Sequence, residues 1–103
     1  MDSLRFHPAA RAELIEALVY LEEHRPGYGD KFAAEVEELI ERIVQLPESG
    51  APLSGYPPEL DVRAFRSKTF RYALIVATLD GERMVHAIAH QHRSPGYWAS
   101  RIR

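Results

Sequence analysis

Apolar residues recur at Ala10, Leu14, Ala17, Leu18 and Leu21, spacings that line one face of a helix. Pro8 stands at the first helical position, where a missing amide loses no hydrogen bond. Pro26 and Gly27 stop the stripe. Glu13, Glu16, Glu22 and Glu23 fall mostly off it and read as solvated. A second stripe runs through Phe32, Val36, Leu39, Ile43 and Leu46, with Asp30 placed to cap it and Pro47 to end it. Glu35, Glu37, Glu38 and Glu41 take the other faces. This stripe is too short for a coiled-coil seam, so it predicts core packing. Two amphipathic helices joined by a short loop predict an antiparallel hairpin.

The period changes outside the helices. Leu4-Arg5-Phe6 alternates and predicts a short strand with Leu4 and Phe6 inward. Residues 47–60 form a loop punctuated by Pro47, Pro52, Pro57, Pro58, Gly50 and Gly55. Asp61 to Arg66 alternates again, and Ser67-Lys68-Thr69 can turn that strand back. Two apolar runs then flank Asp80-Gly81, a dipeptide that accepts positive φ at both positions, as a type I′ hairpin turn needs. A continuous register pairs Leu79 with Glu82, Val76 with Val85, Leu74 with Ala87, Tyr72 with Ala89 and Arg71 with His90. One sheet face then holds Val76, Leu74 and Tyr72. The other holds Arg71, Ala73, Ile75, Met84, His86, Ile88 and His90, joined by Arg63 and Phe65.

The predicted fold is α+β: an N-terminal strand, then an antiparallel helix hairpin packed on a mainly antiparallel sheet, in one domain spanning 1–103. Two helices cover one sheet face. The second face, partly apolar, requires the C-terminal segment or another chain.

Charge adds a direction. The net charge of −2 divides into −7 over residues 1–60 and +5 over residues 61–103. A basic half beside an acidic half suggests a face for an anionic partner, against the plainer alternative that the acidic helices only solvate themselves. No apolar run is long enough to span a membrane, and the start shows no secretory pattern. Absence of cysteine excludes disulfide and thiolate chemistry and fits a cytoplasmic setting.

Arg63, Arg66, Lys68, Arg71, Arg93, Arg101 and Arg103 could bind phosphates, and Phe65, Phe70, Tyr72, Tyr97 and Trp98 could stack bases. The alternative places Phe70 and Tyr72 in the core, because Val and Leu neighbours share their face. His86, His90 and His92 share strand parity, but His86 and His90 lie about 13 Å apart along a strand. No carboxylate or thiol completes a set there, so no metal and no cofactor is expected. His90 or His92 could move a proton near neutrality. No Ser/His/Asp constellation, Walker loop or Rossmann glycine pattern is present.

Three segments together resemble the RelE/ParE toxin superfamily. They are Phe6-His7-Pro8-Ala9-Ala10-Arg11-Ala12-Glu13-Leu14, Phe70-Arg71-Tyr72-Ala73-Leu74-Ile75-Val76 and the ending His90-Gln91-His92-Arg93-Ser94-Pro95-Gly96-Tyr97-Trp98. The ending is similar to that of ParE-like members. The resemblance implies the toxin of a type II toxin–antitoxin pair, of the kind tied to plasmid stabilisation. Such a toxin forms a hetero-oligomer with a cognate antitoxin protein. ParE-like members inhibit DNA gyrase and are not known as nucleases, which leans the reading away from an enzyme; RelE-like members are endoribonucleases that cut mRNA on the ribosome.

For a gyrase inhibitor, the resemblance and the charge pattern together point to Arg63, Arg66, Arg71, His90, His92, Arg93, Tyr97 and Trp98 as target-binding residues. For a nuclease, Arg63, Lys68, Arg71, His90, Arg93 and Tyr97 would be catalytic: cations at the phosphorane, imidazole or phenol for the proton. The chain lacks the His-Tyr pair found near the end of YoeB-like toxins and a glutamate base on its central strands. Antitoxin contact is expected at Phe65, Ala73, Ile75, Met84 and Ile88, on the face left uncovered. A third reading is a binding module that pairs with an antitoxin without toxicity.

Overall fold

A computed structural model describes residues 4–102. Its elements follow in the order β1 (Arg5–Phe6), α1 (Pro8–His24), α2 (Tyr28–Gln45), β2 (Ala51–Pro52), β3 (Arg63–Arg66), β4 (Tyr72–Leu79) and β5 (Glu82–His90), with short 3-10 turns between and after them. The sheet order is β1-β5-β4-β3-β2. Every neighbouring pair is antiparallel except β1 with β5, which is parallel. This is the α+β arrangement that the sequence predicts. β2 is an addition: two residues of the proline-rich loop pair with β3 at the edge.

Local chemistry explains the helix boundaries. Pro8 opens α1, and the His7 ring Nδ1 accepts the Ala9 amide as its cap. α2 begins at Tyr28, earlier than an Asp30 cap implies, so Asp30 lies in its first turn. The amides of Gly27 and Gly29 instead donate to the Glu22 carboxylate, which turns back from α1 to hold the corner. Leu46 lies beyond the last turn of α2 and is exposed, not part of the buried stripe.

The two helices bury Ala10, Ala17, Leu21, Phe32, Val36, Leu39 and Ile43 against one sheet face. Phe70 is buried there and Tyr72 packs beside it, each ring meeting Phe32. The β3–β4 turn is pinned to α2 by the Ser67 hydroxyl, which donates to Glu35 and accepts the Phe70 amide.

The hairpin turns at Asp80 (φ 52°) and Gly81 (φ 78°), as a type I′ turn requires. Leu79 faces Glu82 and Val76 faces Val85, as the counting predicts. Beyond that point the register differs. Ile75 pairs with Ala87 while Val76 pairs with Val85, so His86 is an extra residue, a β-bulge. Leu74 therefore faces Ile88, not Ala87, and Tyr72 faces His90, not Ala89. One inserted residue reverses the parity of everything after it.

Two expectations about the sheet faces fail, one of them through that shift. Ile88 (3% exposed) lies beneath the helices because of it; Phe65 (2%) lies there because its β4 partner, Leu74, is on that face, in a β3–β4 register that has no shift. Ile75 (2%) does occupy the second face, with Ala64, Ala77, Ala87 and Ala89. That face is not left open to another chain. Ile102 is buried against it, and Leu53, Tyr56, Leu60, Tyr97 and Trp98 pack around the rest. The alanines present little relief, so the C-terminal segment and the proline-rich loop can approach the sheet closely. Phe65, Ile75 and Ile88 are thus closed off from an antitoxin; Ala73 and Met84 are half-buried.

One loop position is tightly fitted. A Cβ built on Gly50 would lie 2.5 Å from the Phe65 ring. Gly50→Ala is expected to destabilise the chain by about 1–3 kcal/mol through overpacking, measured by urea unfolding. An unchanged midpoint would mean the Phe65 ring can give way.

Candidate functional site at the open end of the sheet

β3 ends, β4 begins and β5 ends at one side of the molecule, opposite the Asp80-Gly81 turn. The antiparallel order therefore brings Arg66, Arg71, His90, His92 and Arg93 together from three separate segments. A cavity of about 250 Å³ opens there. Ala73, Ile75, Ala89 and Trp98 contribute apolar lining, and Arg66, Arg71 and Arg93 supply cations. Arg66 and Arg71 are exposed and carry no ion-pair partner among the described residues. Their charges are available to an incoming anion.

Arg71 and His90 are not cross-strand partners. His90 pairs with Tyr72, whose ring it meets edge-on at 4.9 Å, while the Arg71 carbonyl accepts the Gln91 amide. Strand parity sends Arg71 toward the second face and His90 toward the helix face. Both still line the cavity because they stand at its edge. Burial, then the nearby His92 and Arg71, pushes the His90 imidazole below the usual histidine range. His90 is therefore neutral at pH 7, and its Nδ1 accepts the His92 amide, which leaves the ring proton on Nε2.

Other sequence-predicted residues are already engaged. Arg63 donates to Asp61 at 2.8 Å and to the carbonyls of Glu48 and Gly50 at 2.9 Å, so it holds the loop rather than facing the cavity. Lys68 is exposed in the β3–β4 turn, near Glu35. Trp98 donates to the Tyr56 hydroxyl at 3.0 Å, fastening the C-terminal segment to the proline-rich loop. Arg103 lies outside the described residues.

Sequence reasoning missed Glu13. It is 9% exposed, not solvated. One of its carboxylate oxygens accepts the Ile88 amide and an Arg101 N–H, each at 3.0 Å. The other accepts from Arg101 at 2.9 Å, Tyr97 at 3.0 Å and Arg93 at 3.3 Å. Burial pushes the carboxyl up, but the bonds from Arg101, the Ile88 amide and Tyr97 together outweigh it and hold Glu13 below the usual glutamate range. The signal was available in the spacing: Glu13 sits three residues after Ala10 and four before Ala17, on the buried stripe.

Glu13 also decides what Tyr97 can do. Burial, and then the hydrogen bond to that carboxylate, pushes the phenol up to about 12. Tyr97 keeps its proton at neutral pH and donates it to Glu13. Arg93 lies over the Tyr97 ring at 3.9 Å, its guanidinium divided between ring, carboxylate and solvent. Among the described residues no three His, Cys, Asp or Glu side chains converge as a metal site, and no helix is long and apolar enough to cross a membrane.

The sequence profile of the family described as ParE toxin of type II toxin-antitoxin system, parDE, matches residues 4–95. A chain of a chromosomal ParDE TA system from P. aeruginosa has the same fold, with a TM-score of 0.67 at 19% identity. The likeness covers 87% of this chain and 96% of that one. No curated protein is significantly similar in sequence.

Proposed function

The chain belongs to the ParE toxin family of type II toxin–antitoxin systems, and from that premise we propose that it inhibits DNA gyrase through the cationic end of its sheet and is neutralised by a cognate antitoxin. The observation that carries the choice of gyrase over RNA is the state of Tyr97. A ribonuclease needs a group to take the 2′-hydroxyl proton. Tyr97 holds its own proton, and both oxygens of Glu13 are occupied by donors. What remains, besides the His90 imidazole, is a set of guanidinium groups around an apolar cavity, an arrangement suited to gripping a partner.

One observation favours the second reading, ribosome-dependent mRNA cleavage. His90 is a neutral imidazole with Arg71 close enough to depress its pKa, a pairing able to move a proton beside a phosphate. The two are separated by a supercoiling assay with purified gyrase and a primer-extension assay on translated mRNA. Inhibition of supercoiling without new mRNA ends is the expected result. Supercoiling untouched at saturating protein, with fresh 5′ ends on the message, would reverse the assignment. Growth arrest on expression without antitoxin separates both from a non-toxic binding module.

A further inference from the structure

His86 is 1% exposed, and neither of its ring nitrogens has a hydrogen-bond partner. It is the extra residue of the β5 bulge, which turns a polar ring into the interior. A buried imidazole without partners is stable only while uncharged.

Its surroundings connect it to the C-terminal segment. Arg101 donates to the His86 carbonyl at 3.1 Å with the same nitrogen that reaches Glu13 at 3.0 Å. Ile102, the next residue, is buried against the Ala87 face. From the other side the His7 ring approaches, centroid to centroid at 6.1 Å. From β4 the Ala77 backbone comes near the ring.

We propose that His86 is an acid-sensitive latch: protonation of its buried ring drives the C-terminal segment, residues 93–102, off the sheet. Among the described residues, the charged groups acting on the ring are His7 from the β1–α1 connection and Arg101 from the C-terminal turn. His7 and Arg101 both disfavour a second cation. Glu13, the anion that holds Arg101, has its oxygens already taken by Ile88, Arg93, Tyr97 and Arg101. The backbones of Ala77 and Arg101 give the charged form partial support, and burial, then His7, outweighs them, so the folded pKa lies below 6.5.

The sign follows. In the released state the ring is solvated and titrates near 6.5. Attachment of the segment is therefore complete above that value. It weakens as pH falls through it, by up to roughly tenfold per pH unit for one proton, until the folded pKa is reached. Release would carry away Arg93, Tyr97 and Trp98, which are part of the cationic end, so the latch would regulate target binding if the gyrase reading holds. The latch itself does not depend on that reading.

Trp98 is the sole tryptophan and lies in the moving segment. Its emission should shift to the red as pH is lowered from 7.5 to 5, while far-UV circular dichroism stays native. His86→Leu, which cannot be protonated, should abolish the shift, whereas His24→Gln, at an exposed position of α1, should preserve it. Flat Trp98 emission in the natural chain, or an unaltered shift in His86→Leu, overturns the proposal. Should His86→Leu not fold, NMR titration of the natural chain decides. The His86 ring and Trp98 must then share one midpoint, and two different midpoints overturn the proposal. No gyrase enters these measurements, so their failure is distinct from failure of the target assignment.

Discussion

Glu13→Ala is expected to lower stability by about 3 kcal/mol or more, the cost of removing one member of a buried, hydrogen-bonded ion pair. In a chain of 103 residues that corresponds to a fall in Tm of roughly 15 °C. The deletion leaves Arg101, the Tyr97 hydroxyl and the Ile88 amide without their shared acceptor. Glu16→Ala, one turn along the same helix but exposed, should change stability by no more than about 0.5 kcal/mol. The difference depends on pH with a definite sign. The Glu13 carboxyl is held below its ordinary value of 4.5. Its contribution is thus fully present above pH 4.5 and is lost as pH falls through the folded value. The gap between the natural chain and Glu13→Ala should narrow in strong acid. Equal melting of the two alanine variants at pH 7 would show that Glu13 holds nothing together.

Arg71→Ala is expected to weaken target engagement by roughly tenfold or more, as loss of a charged hydrogen bond implies, while leaving the fold intact. Arg71 is exposed and has no ion-pair partner among the described residues, so its removal breaks nothing internal. On the proposed gyrase reading, the dose of protein needed to inhibit supercoiling, and the induction needed for growth arrest, should both rise. Arg63→Ala should behave in the opposite way. That guanidinium holds Asp61 and two loop carbonyls, so its loss should appear as reduced stability before any change in dose. Full potency in Arg71→Ala would remove the cationic end from the account of toxicity.

Much of this architecture was legible from periodicity. Two stripes gave the helix hairpin, Asp80-Gly81 gave the turn, and Leu79–Glu82 and Val76–Val85 fixed the near end of the register. Beyond Val85 the count failed because a bulge leaves no mark in a run such as Val85-His86-Ala87-Ile88. Any residue can be the extra one, and packing chooses it. That single insertion moved Ile88 under the helices and parted Arg71 from His90. Glu13 was missed for a different reason. A carboxylate on an apolar stripe looks like an interruption until its partners are known, and those partners lie 75 to 88 positions away. The gathering of Arg66, Arg71 and His90 at one end follows from hairpin topology alone, which places strand ends together. What it could not reveal is that Arg63 is turned inward and Arg93 shared with Glu13.

The long reach between Glu13 and Arg101 also sets an order of assembly. Helix and hairpin contacts close over short distances and form early. The staple cannot form until synthesis has passed Arg101. Through that interval the new chain carries an uncompensated carboxylate on its first helix and a bare alanine-rich surface on its sheet, a sticky intermediate of the sort that chaperones or an early-binding partner would shield.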